Sequence, residues 1–96
     1  MVSILQTKRE CYICGLGATL ERHHCFYGTA NRKKAEQDGC WIWLCHYHHT
    51  GSDKSVHFNI KVDREVKKQA QRVWLDHYNK TVEDFIKRYG RNYDIN

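Results

Sequence analysis

Hydrophobic positions fall into two regimes along the chain. From Thr19 to Leu44 they come in short runs of strand length, and beyond Lys61 they recur every three or four residues. Thr19-Leu20-Glu21-Arg22-His23-His24-Cys25-Phe26 suits a strand, with β-branched and aromatic residues near its ends. Cys40-Trp41-Ile42-Trp43-Leu44 is a second apolar run behind Gly39, with Trp41 and Trp43 on one face and Ile42 and Leu44 on the other, so this strand is expected to be covered on both sides. Between them, Tyr27 to Gly39 is polar and reads as a loop or short helix. A short helix is expected from about Cys45 to Gly51. Asp63 is the expected N-cap of a long helix in which Val66, Ala70, Val73, Trp74, His77 and Tyr78 share a face to about Asn79. Thr81-Val82-Glu83-Asp84 is a capping-box variant that opens a last helix, with Val82, Phe85, Ile86 and Tyr89 apolar and Gly90 as the stop. Residues 1–10 lack a period and read as an extended lead-in. The fold class is therefore α+β: a core over 11–60, with two C-terminal helices over 61–93.

Length changes this picture by making it costly. With 96 residues the chain reads as a single domain, 1–96, and a domain of that size buries only about two-thirds of its unfolded surface. A thin core of this kind calls for a metal or disulfides. Five cysteines cannot all pair within one chain, and Met1 to Lys8 lacks the apolar run of a leader or membrane span, so reduced thiols and a cytoplasmic location are expected. The formal charge of +5 is compatible with a polyanionic partner but is also ordinary for solubility. Seven histidines say more, because imidazole is the common metal ligand and acid-base group near neutral pH.

The cysteines and histidines fall at metal-ligand spacing. Cys11-x-x-Cys14, followed by Gly15 and Gly17, has the pattern of a zinc knuckle, a tight turn that offers two thiolates to one ion. Two buried cysteines or a redox pair would be the plainer readings of that motif alone. Cys45-x-x-His48 repeats the spacing after 30 intervening residues and completes a Cys3His set. In the helix that follows, His48 and His49 are separated by about 100° around the axis, so neighbours can serve different metals. His49 is thus free to act with His23 and His24, which alternate faces of their strand. His57 can turn back to complete that second site, contact phosphate, or lie on the surface. Asn31, Arg32, Lys33 and Lys34 form a polar, basic run suited to phosphate contact, although most such runs are solvated surface.

Taken together, Cys11-x-x-Cys14, His23-His24 and Leu44-Cys45-x-x-His48-His49 resemble the HNH endonuclease family, whose ββα-metal core is set in a zinc-bound treble clef. His23-His24-Cys25-Phe26-Tyr27-Gly28 with Asn31-Arg32-Lys33, then Val56-His57-Phe58-Asn59 and Gly90-Arg91-Asn92-Tyr93, resemble small phage or prophage proteins of this type. They are similar, more distantly, to phage recombination-enhancing nucleases. The resemblance implies a structural Zn2+ on Cys11, Cys14, Cys45 and His48. It makes His23 and His49 ligands of a catalytic divalent ion (Mg2+, Mn2+, Ni2+ or Zn2+), with His57 a third ligand. His24 becomes the general base, DNA the partner, and phage recombination or packaging the setting. One position departs from the family: its middle asparagine falls near Gly39 or Cys40. Either another group orients His24, or catalysis is inefficient. The competing expectations are a non-catalytic zinc module that binds nucleic acid or a protein partner, and a purely structural interaction protein.

Overall fold

In the computed structural model, which describes residues 1–95, the order of elements is β1 (Leu20–His24), α1 (Thr29–Asp38), β2 (Trp41–Cys45), α2 (His46–His49), α3 (Ile60–Tyr78) and α4 (Val82–Tyr89). The architecture is α+β. The two strands pair antiparallel with His24 opposite Trp41, His23 opposite Ile42 and Leu20 opposite Cys45. Antiparallel neighbours are usually joined by a tight turn; here the connection contains the ten-residue α1, which fixes the longer of the two expectations for that segment.

The alternation along the strands divides the molecule into two sides. Ile42 and Leu44 are fully buried on the side facing the helices, where Phe26, Trp74, Phe85, Tyr89 and Val66 complete the core. Phe26 is the hub: it meets Phe85 edge-on, tilts against Tyr89 and stacks on Tyr93. On the opposite side, Trp41 and Trp43 are covered by the lead-in. Ser3 Oγ donates to the Trp41 carbonyl at 2.6 Å, the Trp43 amide donates to Gln6 Oε1 at 2.7 Å, and the Ile4 amide donates to the Gly39 carbonyl at 2.9 Å. Gly39 caps α1 with φ of 78°, and a Cβ there would lie 2.5 Å from the Val2 carbonyl, so left-handed backbone and close approach both require glycine.

One expectation needs correction. α3 starts at Ile60, earlier than expected, and its N-cap is Asn59, whose side chain accepts from the Lys61 and Val62 amides. Asp63 lies in the first turn instead, buried and ion-paired with Lys67. Its position one turn inside the helix makes it a neighbour of the next turn rather than a cap. The segment Val56–Asn59 is a series of turns, because the Ser55 and Ser52 hydroxyls and carbonyls close it locally. The expected capping box is present: Thr81 and Asp84 exchange side-chain and backbone hydrogen bonds, and Gly90 ends α4 at φ of 96°.

Asp38, at the end of α1, ties this helix to both C-terminal helices. Its carboxylate accepts from Trp74 Nε1 at 2.8 Å, Tyr89 Oη at 2.7 Å and Arg88 Nε at 2.6 Å, while its carbonyl accepts from Tyr78 Oη. Burial alone would raise its pKa, but the donors Arg88, Tyr89 and Trp74 outweigh burial and hold the carboxyl below its ordinary 3.8. No helix among the described residues is long and apolar enough to cross a membrane.

Candidate functional site

The first cluster sits where the lead-in meets the end of β2. Gly15, at φ of 79°, lets the chain double back so that Cys11 and Cys14 face one point, and the Gly15 amide donates to the Cys11 carbonyl at 2.8 Å. Cys45 leaves β2 as the N-cap of α2, and His48 follows three residues later on that helix. The four ligand atoms lie within 4.8 Å of one another. Cys14 Sγ is 3.8 Å from Cys45 Sγ, and His48 Nδ1 is 3.4 Å from Cys45 Sγ and 3.8 Å from Cys11 Sγ. A tetrahedral zinc with bonds of about 2.3 Å to sulfur and 2.0–2.1 Å to nitrogen requires edges of roughly 3.8 Å between thiolates and 3.6 Å between thiolate and imidazole. The donor set and its dimensions fit zinc. All five cysteines are free thiols, and Cys25 and Cys40 stay apart from the cluster in the core. Burial works against ionising Cys11, yet the amides of Cys45, Cys14 and Ile13 reverse that effect and lower its pKa.

The second cluster is formed by His23 from β1, His49 from α2 and His57 from the turn before α3, with ligand atoms again within 4.8 Å of one another. His48 and His49 therefore enter different clusters, as their angular separation on a helix requires. The Val56 and His57 amides donate to the His48 and His49 carbonyls, which folds the turn back and brings His57 over α2. His49 Nε2 and His57 Nε2 are 3.2 Å apart. Two imidazole nitrogens bound at about 2.1 Å to one ion would be roughly 3.0 to 3.4 Å apart in octahedral or tetrahedral geometry.

Protonation favours the same conclusion. His49 Nδ1 is 2.7 Å from Glu21 Oε1, and because a carboxylate only accepts, Nδ1 carries a hydrogen and, in the neutral ring, Nε2 is the nitrogen left to bind a metal. Carboxylate, imidazole and metal in a row is how bound histidines are normally oriented. His23 Nε2 is buried without a hydrogen-bond partner, a costly state that a metal ion would relieve. Burial, and then the neighbouring His49, push the His23 pKa down to about 3, so this imidazole is neutral and ready to coordinate. The His57 pKa is also lowered, by burial first and by His49.

This triad opens into a cleft of about 250 Å3 also lined by His24, Arg22, Tyr27 and Arg32. His24 lies beside the triad but not in it. Its Nε2 is 3.0 Å from Glu36 Oε1, so Nε2 carries a hydrogen and, in the neutral ring, Nδ1 is the nitrogen with the lone pair. Of the basic run, Arg32 reaches the cleft rim. Lys33 is exposed on α1, whereas Asn31 and Lys34 donate to the Tyr89 and Arg88 carbonyls and bind α1 to the end of α4.

No known family, curated protein or solved structure matches this chain. The chemistry is therefore read from the site's own atoms, and two acidic residues stand out that the sequence reading did not single out. Glu21 was visible in principle, because it shares a strand face with His23 two residues on. Glu36 gave no such signal, since only the helix between the strands brings it back to His24.

Proposed function

We propose that this chain is a metal-dependent nuclease that hydrolyses DNA phosphodiesters in the manner of HNH endonucleases, with the Cys3His cluster as its structural zinc site. The observation that carries the reading is the convergence of His23, His49 and His57 on one point in a cleft that also holds a separate imidazole, His24, hydrogen-bonded to Glu36. A purely structural module needs the first cluster and has no use for the second.

A divalent cation bound by the triad would supply Lewis-acid stabilisation of the charge that develops on the phosphoryl oxygens and the leaving 3′ oxygen. His23, His49 and His57 would hold it through one ring nitrogen each. Three imidazoles suit Zn2+ or Ni2+ far better than Mg2+, which prefers oxygen donors. His24 Nδ1 takes a proton from the attacking water as the new oxygen–phosphorus bond forms; the bond to the 3′ oxygen breaks, and that oxygen takes a proton from solvent. Arg32 at the rim offsets phosphate charge on approach, a sequence-independent contribution that weakens with salt.

The test is a supercoiled-plasmid nicking assay with wild type and His24→Ala, in EDTA and with Mg2+, Mn2+, Ni2+ or Zn2+, while zinc content is measured on the same samples. Wild type is expected to nick with a cation that imidazole binds well. His24→Ala is expected to keep its zinc and lose about a hundredfold or more in rate. Absence of nicking by folded, zinc-bound wild type with every cation would refute the proposal in favour of a non-catalytic zinc module.

A further inference from the structure

We infer that Glu36, held in place by Arg22, is the positioning residue for His24. This assignment rests on the nuclease reading and supplies the orienting group that the sequence lacks where the family carries asparagine.

The geometry is a relay of three side chains from two elements. Arg22 and His24, two residues apart on β1, point to the same side of the sheet. Glu36, on α1, reaches both: its Oε1 is 3.0 Å from His24 Nε2, and Arg22 Nη1 donates to Oε1 at 2.8 Å and to Oε2 at 3.0 Å. Arg22 is itself fixed from behind, with its guanidinium carbon 3.7 Å from the centre of the Trp41 ring. Two donors thus converge on one carboxylate, and a cation stacked on an aromatic ring limits the rotamers that carboxylate can take.

The consequence for His24 is specific. Free imidazole rotates about χ2 and exchanges its hydrogen between two nitrogens. With Nε2–H committed to Glu36, the ring plane is set and the lone pair of Nδ1 is the only one left for a proton. Since His24 lines the cleft with the His triad, that lone pair serves a water molecule attacking a phosphate in the cleft. The helix inserted between the strands has a function in this arrangement, because a tight turn could not return a glutamate to the strand end.

Two measurements on Glu36→Ala and Glu36→Gln test the assignment. The first is the proton NMR spectrum of zinc-loaded protein, in which an imidazole N–H held by a carboxylate gives a downfield resonance protected from exchange. Wild type is expected to show such a resonance from His24, identified by its loss in His24→Ala. Glu36→Ala is expected to lose it, and Glu36→Gln, whose amide oxygen still accepts, to retain it with faster exchange. The second is steady-state nicking. Glu36→Ala is expected to lower kcat about a hundredfold with KM and cleft-metal affinity unchanged, and Glu36→Gln to recover most of that loss.

A purely structural role for Glu36 would lower melting temperature without this split between kcat and KM. An active wild type whose kcat is indifferent to Glu36→Ala, or whose His24 resonance survives it, would overturn the assignment and leave the nuclease reading standing. A wild type that shows the resonance but never nicks would overturn both.

Discussion

Replacing Glu21 by alanine should weaken the cleft's hold on a divalent cation without touching the zinc site. Glu21 Oε1 accepts from His49 Nδ1 at 2.7 Å, and its other oxygen lies 3.5 Å from His46 Nδ1. The first contact fixes the His49 tautomer and raises the basicity of Nε2, so its loss frees the ring to rotate away from His23 and His57. Outer-shell partners of this kind are typically worth 10–100-fold in metal affinity. The Glu21 side chain is 42% exposed, so water can take over part of its function and the lower end applies: about tenfold, or about 1.4 kcal/mol. Ni2+ or Zn2+ would be titrated against a competing chelator into protein whose Cys3His site is already filled. His46→Ala is the control, since His46 is 66% exposed and points to Glu21 rather than to the triad. Affinity unchanged in Glu21→Ala, or lost equally in His46→Ala, would refute the claim that Glu21 orients a ligand.

Cys45→Ser should unfold the chain. Structural zinc in small domains carries apparent binding energy of about 10–16 kcal/mol, as large as the whole stability of an ordinary domain, so circular dichroism should show loss of helix together with loss of zinc, while His49→Ala keeps both; a folded, zinc-free Cys45→Ser protein would contradict this. Asp38→Asn should cost about 3 kcal/mol at neutral pH, the low end for a broken buried pair because Arg88 remains 33% exposed. Because the Asp38 pKa is lowered on folding, its contribution is complete above the ordinary value of 3.8 and disappears as pH falls below it. Denaturant titrations of the two proteins should therefore differ most at neutral pH and converge in acid; a gap that stays constant down to pH 2 would contradict the assigned linkage.

Local features of this chain were legible because they depend on short-range chemistry. The spacing of Cys11, Cys14, Cys45 and His48 marked one metal cluster. Adjacent histidines on a strand and on a helix had to diverge, which separated His23 from His24 and His48 from His49. The Thr81 box and Gly90 set the limits of α4. Glu21 shared a strand face with His23, but its partner His49, like the pairing of Glu36 with His24, comes only from tertiary structure, since each pair joins two different elements. The same holds for Asn59, which displaced Asp63 as the cap once Ser52 and Ser55 had closed the preceding turn. His57 joined the triad because its turn docks by backbone hydrogen bonds on α2. By itself the sequence determined which residue types could bind metal and where helices and strands could form, because spacing and periodicity are properties of neighbours along the chain. Which carboxylate orients which imidazole was decided by the packing of α1 and α2 against the sheet, because a hydrogen bond of about 3 Å depends on the relative placement of whole elements.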